Sequence, residues 1–231
     1  MINKKDFVEL EFTAKIKGGE IFDTNKKEDA EKLDIKEVKP LIVSVGSNMV
    51  IPGLDKALEE KEIGKQYTEE FNPEQAFGKR NPALIRMIPI KVFLEQKIYP
   101  QAGMQLSLDG MLVKVASVSG GRVLVDFNNP LSGKTVVYDY TIKKKIDDLN
   151  EKINSLQDFL FQRRFEFTTN ETEKTIIFKV PGQMVQMIPL IGKNFEDILG
   201  MKITAEAIKE EKKEKTKEIK EEKTAEKINS N

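Results

Sequence analysis

The 231-residue sequence has no cysteine, no histidine and no tryptophan, and each absence removes a class of function. Without imidazole or thiolate there is no Ser-His-Asp or Cys-His nucleophile system. Nor can there be a zinc finger, a zinc hydrolase or a thiolate cluster. Disulfides are impossible, so the fold rests on its core. An excess of one charge is also missing: 38 basic residues balance 38 acidic ones, which leaves no bulk attraction to nucleic acid or an anionic membrane. No apolar run approaches the ~20 residues of a membrane span. The opening MINKKDFVELEF lacks the apolar stretch of a secretory leader, so the expectation is a soluble, cytoplasmic protein. There is no phosphate-cradling glycine loop, because Gly18-Gly19 and Gly120-Gly121 read as hairpin turns. The acidic residues are scattered along charged faces, without the paired carboxylates of a glycosidase or the spacing of an EF-hand. No cofactor, no metal, no nucleic acid and no membrane partner are expected.

What is present reads mostly as strands. In Phe7 to Ile16, Val8, Leu10, Phe12, Ala14 and Ile16 fall on one face and Glu9, Glu11, Thr13 and Lys15 on the other, the alternation of a half-buried strand. Lys17-Gly18-Gly19-Glu20 is a turn, after which Ile21 and Phe22 resume the sheet. Residues 24–40 are charged and loop-like. Leu41 to Gly46 is a strand. A short amphipathic helix follows from Leu54 to Glu60, opened by Pro52-Gly53 and closed by Gly64, with Leu54, Ala57 and Leu58 on one face. Gln66 to Phe71 is a further strand.

A second pattern begins at Arg86. Met104–Leu108, Met111–Val118 and Val123–Phe127 form a compact meander punctuated by Asp109-Gly110 and Gly120-Gly121, both strong hairpin signals. Lys134 to Lys143 then returns to the main sheet. Residues 86–131 therefore read as a small domain inserted at a loop tip, where insertions are tolerated. A third unit contains a helix with Leu149, Ile153, Leu156 and Leu160 on one stripe. It continues with a hairpin pairing Phe165–Thr169 with Lys174–Val180, then an apolar stretch from Met184 to Ile191 that is a candidate for self-association or client contact. A short helix capped by Asn194 and closed by Gly200 ends it. Residues 206–231, EAIKEEKKEKTKEIKEEKTAEKINSN, alternate small blocks of Lys and Glu, and such a segment buries too little surface to offset its ordering entropy.

One string stands out against this background. It runs Glu20-Ile21-Phe22-Asp23, then Val45-Gly46, then Met49-Val50-Ile51-Pro52-Gly53-Leu54-Asp55-Lys56-Ala57-Leu58. It goes on through Gly64 and Gln75-Ala76-Phe77-Gly78, and ends at Val137-Tyr138-Asp139-Tyr140-Thr141-Ile142. In this order and spacing the chain resembles the FKBP family of peptidyl-prolyl isomerases. Asn129-Pro130-Leu131-Ser132-Gly133-Lys134 resembles the segment that closes the "insert-in-flap" chaperone domain of SlyD-like members. The third unit and tail are similar to the long-type archaeal branch. The resemblance is strong over residues 1 to about 152 and weak beyond.

The resemblance implies an α+β fold: an FKBP-like antiparallel half-barrel wrapped on a short helix, an inserted small β domain and an additional C-terminal α+β domain. The implied divisions are 1–85 and 132–152 for the isomerase domain, 86–131 for the insert, 153–205 for the C-terminal domain and 206–231 for a charged tail. It also implies a proline pocket lined by Phe12, Phe22, Val50, Ile51, Leu54, Phe77 and Tyr138, with Asp23 at the rim and the Ile51 N–H holding a substrate carbonyl. Leu41 and Val43 are candidates for its wall, although alternating strand residues also make plain core. In the insert, Ile88, Phe93, Leu94, Met104, Leu106 and Met111 are candidates for client contact, since exposed Met and aliphatic groups form an adaptable surface. They equally suit a small core. The implied partners are unfolded or proline-containing polypeptides, with a homodimer through the C-terminal domain as a further expectation.

Departures from the family sharpen the expectation. Phe12 and Phe77 stand where many members have Tyr, so Phe77 has no phenol to offer a ligand carbonyl. Leu54 replaces the Trp floor common in the family, and Tyr138 adds a hydroxyl where Phe is usual. Two functions fit. One is a prolyl isomerase with chaperone activity; the other is a non-catalytic holding chaperone whose FKBP domain only binds. An adaptor working through the charged tail is a third, weaker option.

Overall fold

Ten residues of alternating pattern, Phe7–Ile16, form β1, the organising strand of the molecule. The computed structural model describes residues 1–108 and 110–208, and the chain falls into two compact units, Met1–Gln162 and the segment from Arg163 onward. In the first unit β1 is followed by β2 (Ile21–Thr24), α1 (Lys27–Ala30), β3 (Leu41–Ser44), α2 (Pro52–Ala57) and β4 (Gln66–Phe71). Then come β5 (Ile85–Pro89), α3 (Ile90–Glu95), β6 (Gln105–Leu108), β7 (Met111–Ser119), β8 (Arg122–Asp126), β9 (Val136–Ile146) and α4 (Leu149–Phe161).

The main sheet runs β2-β1-β9-β4, and β3 joins the same edge of β1 that β2 occupies further along. All of its pairings are antiparallel. β1 and β9 pair along their whole length, from Phe7 opposite Ile146 to Ile16 opposite Val136. That register puts Val8, Leu10, Phe12 and Ala14 on one face with Val136, Tyr138, Tyr140 and Ile142, and α2 covers this face with Leu54 and Leu58. The helix starts at Pro52, whose missing N–H suits the first helical position.

Gly53 is required by packing. A Cβ there would lie 2.5 Å from Phe71 Cδ1 and 3.0 Å from the Gln75 carbonyl. Residues 24–40, read from sequence as loop, carry the four-residue α1 and a following turn of 3-10 helix; local charge hides both.

The second sheet runs β5-β8-β7-β6. Its core is Phe93, Val113, Val115, Val123 and Val125. The three meander strands fall where the sequence puts them. β5 and α3 are additions, because a five-residue strand ending in Pro89 and running straight into a helix carries no alternation of its own. Gly110 takes φ of 77° at the β6–β7 turn; Asp109 lies outside the described residues. Two adjacent segments tie this sheet to the main one. Phe127 N–H donates to the Leu84 carbonyl, Asn81 N–H to Asn128 Oδ1 and Asn128 Nδ2 to the Asn81 carbonyl. Arg80 pairs with Asp126, whose other oxygen accepts from the Asn128 backbone and side chain.

The sequence reading opens the third unit at residue 153, but α4 belongs to the first. Its Ile153 and Leu156 are buried, and Lys152 Nζ sits 5.7 Å from the centre of the Phe7 ring. The second unit holds β10 (Glu166–Asn170), β11 (Thr175–Val180), α5 (Gly192–Leu199) and β12 (Lys202–Ala207). The expected hairpin is β10 against β11, and β12 adds in parallel to β11. Two sequence expectations need correction here. α5 starts at Gly192 with Ile191 at its N-cap position, so Asn194 lies inside the helix and caps nothing. Residues 206 and 207 belong to β12, not to a tail: Ile203 is buried on the sheet, and the parallel ladder continues to Ala207. The remainder of the charged tail, from residue 209, lies outside the described residues.

Candidate active site

The residues expected to line the proline pocket come from five separate elements that β1 and β9 bring together. Phe12 is held in place by its own backbone. Asn25 reaches across like a strand substitute: its Oδ1 accepts from Phe12 N–H at 2.7 Å and its Nδ2 donates to the Leu10 carbonyl at 2.7 Å. Thr24 Oγ1 donates to the Phe12 carbonyl at 2.9 Å. Directly behind, Thr13 Oγ1 bonds Asp29 at 2.7 Å, which ties α1 to the sheet.

Val50 and Ile51 lead into α2, and Asp55 sets their position. Its carboxylate, 4% exposed, accepts from Gly46 N–H and Asn48 N–H, each at 2.8 Å, and so pins the loop that precedes them. The capping box of Asn72 and Gln75 and the bond from Gly78 N–H to the Pro73 carbonyl at 2.6 Å shape the turn that presents Phe77.

These supports gather an aromatic cluster. Phe12 stacks on Tyr138 with centroids 5.9 Å apart, and Phe22 meets Tyr138 edge-on at 6.2 Å and Phe77 at 5.8 Å. Phe71 closes the far side of Tyr138 at 5.9 Å. Leu54, fully buried, lies beneath in the same cluster, with Val50, Ile51, Phe22 and Phe77 half-buried around it. Seven of the residues drawn from the resemblance thus share one patch. Leu41 is half-buried beside it. Val43 is completely buried, so it is core and does not line a surface. Phe71, Asp55 and Asn25 escaped the sequence reading. Phe71 was visible only as a strand end, Asp55 only as an unassigned polar residue within the motif, and Asn25 only as a polar residue beside it.

Two hydrogen-bond donors of this cluster are unused among the described residues. The Ile51 N–H, just ahead of α2, donates to no described group. The Tyr138 hydroxyl also bonds no described residue. Every fully sealed side-chain polar atom among the described residues has a partner, so this oxygen must reach the small part of the residue that remains open. Burial, and then the nearby charge of Asp23, push the phenol above its ordinary pKa, so it stays protonated and able to donate. Asp23 stands at the exposed rim. Desolvation of its carboxylate nonetheless raises its pKa, against a hydrogen bond from the Thr24 backbone.

The inserted sheet divides the remaining candidates. Phe93 is 2% exposed and fills the core under Val113 and Val125, which corrects its assignment to client contact. A domain this small has little apolar volume to spare, and Phe93 is the largest side chain in its buried core. Ile88 and Leu106 are half-buried against the same core. Leu94, Met104 and Met111 are exposed, together with Met87, Leu112 and Tyr99, the last 73% exposed. The isolated Tyr99 carried no pattern from which sequence could have placed it. Among the described residues no group of acidic side chains is arranged to hold a metal ion, and no helix is long and apolar enough to cross a membrane.

Comparison with known proteins places the chain in a family. The family described as FKBP-type peptidyl-prolyl cis-trans isomerase matches residues 1–93, and the description "FKBP26, IF domain" matches residues 86–131. The short-type peptidyl-prolyl cis-trans isomerase of Methanocaldococcus jannaschii is 31% identical over 147 residues, 62% of this chain and 92% of that protein. The probable FKBP-type 16 kDa peptidyl-prolyl cis-trans isomerase of Pseudomonas fluorescens is 28% identical, over 61% of this chain and 89% of its own. The SlyD isomerase of Treponema pallidum is 27% identical, over 64% and 81%. The chain belongs to the FKBP-type peptidyl-prolyl cis-trans isomerase family.

Proposed function

We propose that the aromatic cluster is the catalytic pocket for X-Pro isomerisation and that the exposed apolar face of the inserted sheet holds client polypeptides. The observation that carries the reading is the apolar cluster of Phe12, Phe22, Phe77 and Tyr138 with two free donors, Ile51 N–H and Tyr138 Oη, at its edge. Rotation about a peptide bond meets a barrier of ~18–20 kcal/mol because of its double-bond character, and for X-Pro the uncatalysed step takes roughly 10–100 s at 25 °C. Twisting the bond removes amide resonance and lowers charge separation. A water-poor ring cluster therefore favours the twisted form over the planar one, while the two donors hold flanking carbonyls without any acid, base or nucleophile.

The insert contributes by concentration. A client resting on the exposed Met87 and Leu112, which strand alternation puts on the face of the sheet away from the Phe93 core, keeps its prolines near the pocket, so capture becomes effectively intramolecular. In this reading residues 1–85 and 132–162 form the isomerase domain and 86–131 the chaperone domain. Isomerisation of a short Ala-X-Pro peptide beside proline-limited refolding of a whole protein tests it. Phe22→Ala is expected to abolish the first. Replacing residues 86–131 by a short loop is expected to spare the first and slow the second strongly. Equal loss on both substrates on removing the insert would sink the two-site reading. A wild type that suppresses aggregation without isomerising either substrate would reduce the pocket to a binding module.

A further inference from the structure

We infer that the cleft between the inserted sheet and the segment returning to β9 binds an acidic stretch of extended polypeptide. The cleft encloses about 550 Å³, within the usual range of ligand sites, and shares no lining residue with the aromatic cluster. One wall is β7 from Leu112 to Ala116, with Gly103 and Gln105 beside it. The other is Arg80 and the segment Asn128 to Lys134.

Its charge is one-sided. Arg80, Lys114 and Lys134 face a single carboxylate, Asp126, and that carboxylate is already saturated by Arg80 and by two hydrogen bonds from Asn128. The side-chain ammonium groups of Lys114 and Lys134 make no ion pair or hydrogen bond with any described residue. The side-chain oxygen of Asn129 is occupied by Leu131 N–H at 2.8 Å, which leaves its NH2 free, and the Gln105 amide has no described partner. The cleft therefore offers donors and positive charge with few open acceptors. It asks for a ligand rich in acceptors and negative charge: carboxylates spaced along a peptide backbone.

Polypeptide suits these walls better than nucleic acid. No aromatic ring lines the cleft, whereas single-stranded nucleic acids bind by stacking bases on such rings. The exposed Leu112, Ala116 and Pro130 give the cleft an apolar part that suits the aliphatic groups of a peptide. This inference deepens the proposed client-binding role of the insert and rests on it. The cleft would make acidic flanking sequence, beside apolar character, a criterion of client choice.

The test is anisotropy of three labelled, proline-free extended peptides on the full chain: one apolar and neutral, and two matched in apolar content but carrying either glutamates or glutamines. The glutamate peptide is expected to bind roughly three- to tenfold tighter than its glutamine match at low salt, the effect of two partly exposed ion pairs. The preference should fade as salt rises and vanish in Lys114→Gln/Lys134→Gln. That variant should leave neutral-peptide binding and short-peptide isomerisation unchanged. Equal affinity for the two charged-series peptides, or a preference that survives the double variant, would overturn the inference. So would a single-stranded polyuridine that binds more tightly than the glutamate peptide and loses this in the double variant. If the neutral apolar peptide also fails to bind the wild type, the client-binding role itself falls. If it binds and only the acidic preference is missing, the cleft inference alone is wrong.

Discussion

Tyr138→Phe is the sharpest probe of the pocket, because it removes one oxygen and keeps every ring. The stacked contact with Phe12 at 5.9 Å and the edge contacts with Phe22 and Phe71 survive. The hydroxyl bonds nothing else among the described residues, so folding stability should stay nearly unchanged. What disappears is the donor that, in the proposed function, meets a carbonyl of the substrate. A neutral hydrogen bond contributes about 0.5–1.5 kcal/mol, so kcat/KM on a short X-Pro peptide should fall about two- to thirteenfold. Because burial and the Asp23 charge hold the phenol protonated, the ratio of wild type to variant should be flat across neutral and mildly alkaline pH. The assay is exchange NMR of the peptide's cis and trans signals, with urea melts of both proteins alongside. A variant as stable and as fast as the wild type would refute the reasoning: the phenol would then be a bystander and the pocket purely apolar.

Other consequences can be checked in the same preparation. Gly53→Ala drives a methyl into Phe71 and the Gln75 backbone and should cost about 1–3 kcal/mol, read as a lower urea midpoint with activity falling in step. Asp55→Ala leaves the Gly46 and Asn48 N–H groups without their acceptor and should cost about 2–4 kcal/mol; a larger loss of activity than of stability would show that the loop it pins positions Ile51. Asp126 would be raised by burial, but hydrogen bonds from Asn128 and the charge of Arg80 outweigh this and hold it below its ordinary pKa. Its contribution to stability is therefore present above the ordinary value of 3.8 and lost as pH falls through the lowered one. Amide shifts of Asn81 and Asn128 should report the connection loosening in that acid range, and Asp126→Asn should remove the step.

The legible parts of this fold were those whose signal is local. The alternation of β1, the turn at Gly18-Gly19 and the Pro52-Gly53 helix start are all visible in a few residues. Most of the pocket was legible only as an ordered string, since Phe12, Ile51 and Tyr138 lie far apart and meet through the β1–β9 register. What escaped depends on distant partners. Nothing near Phe93 distinguishes a core ring from an exposed one; that is decided by four valines on β7 and β8. β12 blends into the Lys/Glu run that follows, and only pairing with β11 marks it as a strand. Asn25 looks like loop polarity until its two bonds to β1 are seen.

The connection at Asn81 and Asn128 also bears on the order of folding. β4 and β9 are neighbours in the main sheet, yet the insert separates them along the chain. Closing a loop costs entropy that grows with its length, by about 0.6 kcal/mol per doubling. Once β5–β8 has formed and its two ends are tied together, the unordered stretch between Phe71 and Val136 shrinks from roughly sixty residues to under twenty, a saving of about 1 kcal/mol. An insert that folds first would thus shorten the search of the strand that carries Tyr138, and the pocket would mature last. The inserted sheet would be ready before the aromatic cluster.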